Sequence, residues 1–262
     1  MLSYDSLLEQ AKERGMPAGK LRGAAREYLQ VLALKALYGI KGSESLLFLG
    51  GTALRLGHGL QRFSEDLIFD AEGLSLSTWK RVIEETGHRM SGLGLAVECK
   101  AGEKGSLLTG DLRFGGFLQA YRLTEDHGEK LRVKVEANRP AYRLTDEPRI
   151  VAGFGEMVAV RFASTGLIFA EKILALLGRG LGRDVYDAFF MAGKKWMPDA
   201  EVLAAGGAPG PAGKAILAKI QELGPKKLHA LSARLEPFLF EPSHADLVAR
   251  APELLPPLVE YL

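Results

Sequence analysis

Residues 48 to 70 read FLGGTALRLGHGLQRFSEDLIFD. Two glycines, Gly50 and Gly51, stand where the apolar run SLLFL gives way to the helix-like ALRL. Such a turn leaves backbone N–H groups and a positive helix end facing any ligand, with no Cβ in the way. Thr52 adds a hydroxyl, although a GG turn with Thr52 as helix N-cap would look the same on its own. The second half of the stretch reads as a strand with Asp66, Ile68 and Asp70 on one face and Leu67 and Phe69 turned into the core. A hard divalent ion bridging nucleotide phosphates takes oxygen from one or two carboxylates, and acids two residues apart on a strand deliver both to one point. Acids stand at 66 and 70, and an isoleucine stands between them.

Outward from this stretch, residues 4 to 14 and 20 to 38 place apolar side chains at three- and four-residue spacing and predict amphipathic helices. Residues 77 to 90 predict another helix with Ser77 as N-cap, and 93 to 100 alternate like a strand. Strand-like runs follow at 107 to 123, 130 to 138 and 156 to 161. The sum is an α/β (α+β) fold, a mixed sheet of about four or five strands flanked by helices. From residue 164 the pattern is helix after helix, which predicts a core over 1–163 and a helical C-terminal region over 164–262. The Gly/Ala/Pro stretch at 204 to 213 reads as a loop between helices.

The chain has 262 residues, 47% hydrophobic and 25% charged, which suits a globular protein with a sizeable core. Its formal net charge of +2 is too mild to demand a nucleic-acid partner, and local basic clusters such as Arg22 with Arg26, Arg139 with Arg143 and Arg149, and Arg179 with Arg183 read as solvated surface. The one cysteine, Cys99, excludes a disulfide framework, suits a reducing cytoplasm, and reads as a buried small hydrophobe. The N-terminus is acidic and amphipathic instead of signal-like, and the longest apolar tract is interrupted by Glu171 and Lys172, so no membrane association is expected. The five histidines lack the spacing of a helical zinc site, with His58 the one near the glycine turn and expected to be structural.

The stretch FLGGTALRLGHGLQRFSEDLIFD, followed by LRVKVEANRP and then IFAEKILALLGRGLGRDVYDAFF, resembles the nucleotidyltransferase toxins of the AbiEii/AbiGii type, a branch of the DNA polymerase β-like superfamily. The likeness spans roughly residues 28 to 190. It implies a nucleotidyltransferase-like fold, Mg²⁺ or Mn²⁺ as cofactor, a nucleoside triphosphate as substrate, transfer to RNA (tRNA in particular) or to protein, and a cognate antitoxin as partner. By position it implies that Asp66 is the first metal-binding aspartate and that Gly50, Gly51 and Thr52 form the phosphate turn. Arg62, Ser64 and Lys134 would contact the nucleotide. Lys172 would hold the triphosphate, and Asp184 or Asp187 would be the acid of the last motif. Glu136 and Asp70 complete the metal candidates.

The second aspartate of the family's D-x-D pattern falls on Ile68. Two expectations follow. An active enzyme would rely on Asp66 with Asp70 or Glu136 as substitute ligand; a catalytically impaired relative would use the same scaffold to bind a nucleotide or a protein. Each residue also has a plainer reading. Asp184 and Asp187 sit at N-cap and N3 spacing of a helix, Arg183 and Asp187 at i,i+4 spacing, and Lys134, Glu136 and Arg139 could be strand charge pairs.

Overall fold

The computed structural model describes residues 1–262. Its strands are β1 (Leu46–Leu49), β2 (Asp66–Ala71), β3 (Ala96–Lys104), β4 (Leu107–Gly115), β5 (Leu131–Asn138), β6 (Asp146–Gly153) and β7 (Glu156–Ala163). They form one seven-stranded sheet in the order β3-β4-β5-β2-β1-β7-β6. β2 lies in the middle, antiparallel to β1 and parallel to β5, while β1 runs parallel to β7, so the sheet is mixed.

The helices are α1 (Tyr4–Glu13), α2 (Leu21–Tyr38), α3 (Gly50–His58), α4 (Leu76–Ser91), α5 (Phe117–Ala120), α6 (Thr165–Gly178), α7 (Gly182–Gly193), α8 (Ala200–Ala205), α9 (Ala212–Leu235), α10 (Asp246–Ala249), α11 (Ala251–Leu254) and α12 (Pro256–Val259). None is long and apolar enough to cross a membrane.

Several expectations shift in detail. The sheet has seven strands, more than the expected four or five: β1 is a full strand, and β6 gives no strand signal in the sequence because DEPRIVAG is polar, holds Pro148 and runs along a sheet edge, where a missing N–H is tolerated. The run from 107 ends as a strand at Gly115, because Gly116 turns left-handed (φ 69°) and starts α5. Helix α4 is capped by Ser75, whose hydroxyl accepts from the Thr78 N–H at 3.1 Å, instead of by Ser77.

The chain divides into two units: residues 1–59, 63–140 and 148–162, and residues 60–62, 141–147 and 163–262. In the first, strict alternation explains the sheet. Leu131, Val133, Val135 and Ala137 of β5, with Leu108, Leu112 and Phe114 of β4, are buried on the face that also carries the buried Leu67 and Phe69. Phe48 meets Phe69 at 5.3 Å and Phe162 edge-on at 5.2 Å, so aromatic contacts tie β1 to both neighbours. Helix α4 covers the same face at β3 and β4. Cys99 points to it, but on the edge strand it stays exposed, contrary to expectation, and partial burial pushes its thiol pKa up.

The second unit is helical. Ser164 caps α6 by accepting from the Leu167 N–H at 3.2 Å, and Asp199 caps α8. Residues 206–211 connect α8 to α9 as a loop. Helix α9 is broken at Gly224, whose φ of 66° precedes Pro225.

Candidate active site

The glycine turn leaves β1 and starts α3. Gly50 has φ 82°, a left-handed conformation that a side chain would strain. A Cβ there would also lie 3.3 Å from Cβ and Cδ1 of Ile68. Thr52 lies inside α3 instead of capping it, and its hydroxyl donates to the Asp66 carbonyl at 2.6 Å. This bond joins the turn to the start of β2.

The strand register brings four of the expected residues to one sheet face. Asp66 pairs with Lys134 and Ile68 with Glu136 across the parallel β2–β5 ladder, and paired residues point to the same side. Asp111 and Thr109 of β4 stand opposite Lys134 and Glu136, and Lys100 and Gly102 of β3 stand opposite Asp111 and Thr109. One row therefore reads Lys100, Asp111, Lys134, Asp66, alternating in sign across four strands. The next reads Gly102, Thr109, Glu136, Ile68. Within β5 the Lys134 ammonium meets the Glu136 carboxylate at 2.5 Å, the strand pair that the plainer reading allows. Arg132 grips Asp111, at 2.8 Å for one contact, and that bond, with the nearby charges of Asp66 and Glu136, raises its pKa further.

Asp70 shares the face but is fully buried, paired in register with Leu47 and Asn138. Ser64 precedes β2 and its carbonyl accepts from the Gln30 amide at 3.0 Å. Glu65 is engaged by Arg26 at 2.5 Å. His58 packs its ring edge-on to Phe162, 6.0 Å between centroids.

No three His, Cys, Asp or Glu side chains converge on a metal-sized site. Asp66 and Glu136, one register step apart on adjacent strands, supply two carboxylates. Magnesium characteristically takes one or two carboxylates and fills its octahedron with water and substrate phosphate. The donor set thus fits an ion shared with a nucleotide, not a cage closed by protein alone.

The second unit holds the other expected residues in a separate ionic cluster. Arg62 donates from Nε and Nη2 to both carboxylate oxygens of Asp187, each at 2.7 Å, and Lys172 Nζ meets the same carboxylate at 2.6 Å. All three are buried, with the Arg62, Asp187 and Lys172 side chains 3%, 0% and 10% exposed. Burial pushes the Asp187 pKa up, but the two cations outweigh it and hold the acid at about 2. Burial lowers the Lys172 pKa, and Asp187 does not fully offset this because Arg62 shares the carboxylate and repels the ammonium.

Asp184, also fully buried, accepts from Arg179 Nε and Nη2 at 2.9 and 2.7 Å and from the Leu181 N–H at 3.2 Å. Helix α7 begins at Gly182, which puts Asp184 at N3, whereas spacing alone puts Asp184 at the N-cap and Asp187 at N3. Asp187 pairs with Arg62, 125 residues earlier, and not with Arg183. No local pattern signals a bond of that range. Lys100, Thr109, Asp111 and Arg132 likewise carry no motif that singles them out, although the alternation of β4 and β5 assigns them a face.

Over residues 33–250 the chain matches the family described as nucleotidyl transferase AbiEii toxin, type IV toxin–antitoxin system. Among solved structures it is similar to JHP933 from Helicobacter pylori, at 18% identity and TM-score 0.57, covering 92% of this chain and 94% of that one. It is also similar to MenT4, a nucleotidyltransferase toxin from Mycobacterium tuberculosis, at 18% identity and TM-score 0.58, covering 100% of this chain and 91% of that one. No curated protein gives a significant match.

Proposed function

The chain belongs to the AbiEii nucleotidyltransferase toxin family of type IV toxin–antitoxin systems, and from that premise we propose that it binds a nucleoside triphosphate with Mg²⁺ or Mn²⁺ and transfers a nucleotide to an acceptor hydroxyl on RNA or protein. The observation that carries this reading is the β2–β5 register, which sets Asp66, Lys134 and Glu136 on one face beside the turn at Gly50–Thr52.

In such a reaction the hydroxyl attacks the α-phosphorus in line, the bond to the β-phosphate oxygen breaks, and pyrophosphate leaves. Charge grows on the phosphate oxygens, so positive groups already in place favour the transition state. Asp66 and Glu136 would hold the divalent ion, which when bound neutralises phosphate charge. The N–H groups at Gly50 and Gly51 form the phosphate cradle, and Thr52 fixes that turn to β2. Lys134 is a cation within reach of Glu136 and can exchange that partner for a phosphate. Lys172, Arg62 and Asp187 act as one ionic unit, in which the carboxylate holds both cations in place. A cognate antitoxin is the partner this reading carries.

Ile68 favours a second reading, in which the scaffold binds a nucleotide without turnover. Its apolar side chain lies where the family pattern has a carboxylate. Labelled nucleoside triphosphates incubated with the protein, Mg²⁺ or Mn²⁺ and total tRNA separate the two. Label transfer that vanishes in Asp66→Ala supports the enzyme. Nucleotide binding with no transfer for any of the four nucleotides with either metal supports the binding module.

A further inference from the structure

Three charged side chains meet in the first unit on the helix that the glycine turn starts. Glu27 of α2 lies between Arg14, which follows α1, and Arg55 of α3, and the side chains of Glu27, Arg14 and Arg55 are 2%, 19% and 5% exposed. Arg14 donates from Nε and Nη2 to Glu27 Oε1 at 3.2 and 2.9 Å. Arg55 donates from Nε to Oε2 of the same carboxylate at 3.0 Å, and from Nη2 to the Arg14 carbonyl at 3.1 Å. Arg14 also donates to the Ala152 carbonyl of β6 at 2.8 Å and lies over the Phe154 ring. A Cβ on Gly153 would collide with that guanidinium, so the glycine admits it.

We propose that Arg55 is a positioning residue for the phosphate turn: clamped through Glu27, it fixes where α3 sits along its own axis, and so where the Gly50 and Gly51 N–H groups stand when a triphosphate binds. The proposal rests on the nucleotide binding put forward above and names what holds its cradle.

Three observations carry it. Helix α3 has only nine residues, and Arg55 stands five positions after Gly50, about 7.5 Å along the axis, so a shift at one end is passed to the other. The apolar contacts of the buried Ala53 and Leu54 resist separation but not sliding, whereas a guanidinium bonded to a carboxylate and a carbonyl fixes distance and direction. Thr52 ties the first turn of α3 to β2 through the Asp66 carbonyl, so Arg55 supplies the second point of attachment, on α2. Stability alone does not account for the cluster, because two cations and one acid taken out of water hold a fold no better than apolar side chains of the same volume.

The test compares the wild type with two variants. Arg55→Met keeps the length of the side chain and leaves Glu27 paired with Arg14; Arg55→Lys keeps the charge for Glu27 but loses the fork. Affinity for a nucleoside triphosphate with Mn²⁺ is read by isothermal titration calorimetry, and the hold on the turn by hydrogen exchange of the amides from Gly50 to His58 without nucleotide. Arg55→Met is expected to bind the nucleotide about tenfold more weakly. Its α3 amides should exchange faster while those of β4 and β5 do not change, and Arg55→Lys should recover part of both. If Arg55→Met does not fold, Arg55→Lys decides, with weaker binding and faster exchange in α3 expected. Wild-type affinity in a folded variant would overturn the proposal. So would weaker binding with faster exchange throughout the sheet, the mark of a merely structural role. In both cases the nucleotide reading stands; a wild-type protein that binds no nucleotide would remove that reading and the proposal together.

Discussion

Ile68 has no oxygen to offer an ion, and its side chain lies where a Cβ on Gly50 would come within 3.3 Å. It therefore shapes the turn as well as interrupting the acids. Ile68→Asp adds a carboxylate in the row of Glu136, one step from Asp66, and is expected to raise Mn²⁺ affinity of the nucleotide complex by about tenfold, read by electron paramagnetic resonance of free Mn²⁺. Unchanged affinity would mean that the face is not organised around an ion. Asp187 supports a different expectation. In Asp187→Asn, Arg62 and Lys172 stay buried without their counter-charge, a loss of about 3–5 kcal/mol measured by urea unfolding. The acid's pKa is depressed from 3.8 to about 2, so its stabilisation is complete above pH 4 and disappears as pH falls through 2. Wild-type and Asn variant should accordingly converge in stability near pH 2. Which way Asp66 and Glu136 point is legible in the sequence, because the alternation of each strand sets it. The Arg62–Asp187 bond is not, since only folding brings residues so distant in the chain together.

At the level of elements, close backbone approach decides where small residues are needed. Gly182 opens α7, and a Cβ there would sit 2.6 Å from the carbonyl oxygen of Leu231 in α9, an atom that cannot rotate away. Gly182→Ala is expected to push the two helices apart at a cost of about 1–3 kcal/mol, visible as a lower melting temperature by circular dichroism. Gly193→Ala, at the other end of α7 with nothing within 4 Å of its would-be Cβ, is the control and should be neutral or slightly stabilising. A Gly182→Ala variant as stable as wild type would show that α7 and α9 have room to adjust. Elements with a clean period are legible: β5 alternates without fault, and α2 and α4 carry apolar stripes. β6 is not, because half of an edge strand's chemistry faces solvent; Ile150 on it is 63% exposed. Neighbour relations are not legible either. Nothing in LRVKVEANRP says that it lies beside β2, yet that pairing sets Asp66, Lys134 and Glu136 on one face.

For the molecule as a whole, a net charge of +2 gives no reason to expect a polyanion, and the charges become uneven only through folding. Most basic clusters marked in the sequence are neutralised, Arg22 by Glu129, Arg26 by Glu65, Arg139 by Glu103 and Arg179 by Asp184. The β3–β5 face carries five basic side chains against two acids, with Arg113, Arg132 and Lys134 ion-paired and Lys100 and Lys104 exposed. Average composition cannot reveal this, because it depends on which strands are neighbours. If a nucleotide binds at the edge of that face, it stabilises the folded sheet by mass action. At a concentration of a hundred times Kd this amounts to about 2.7 kcal/mol, or roughly a 5–10 °C rise in melting temperature for a domain of this size. The shift should require both nucleoside triphosphate and Mn²⁺ and be lost in Asp66→Ala, with the circular dichroism spectrum of the variant as the check on its fold. A wild-type protein that melts at the same temperature with and without them would remove the nucleotide from the proposed function. A shift that survives Asp66→Ala would put the nucleotide at a site that does not use the β2 carboxylate.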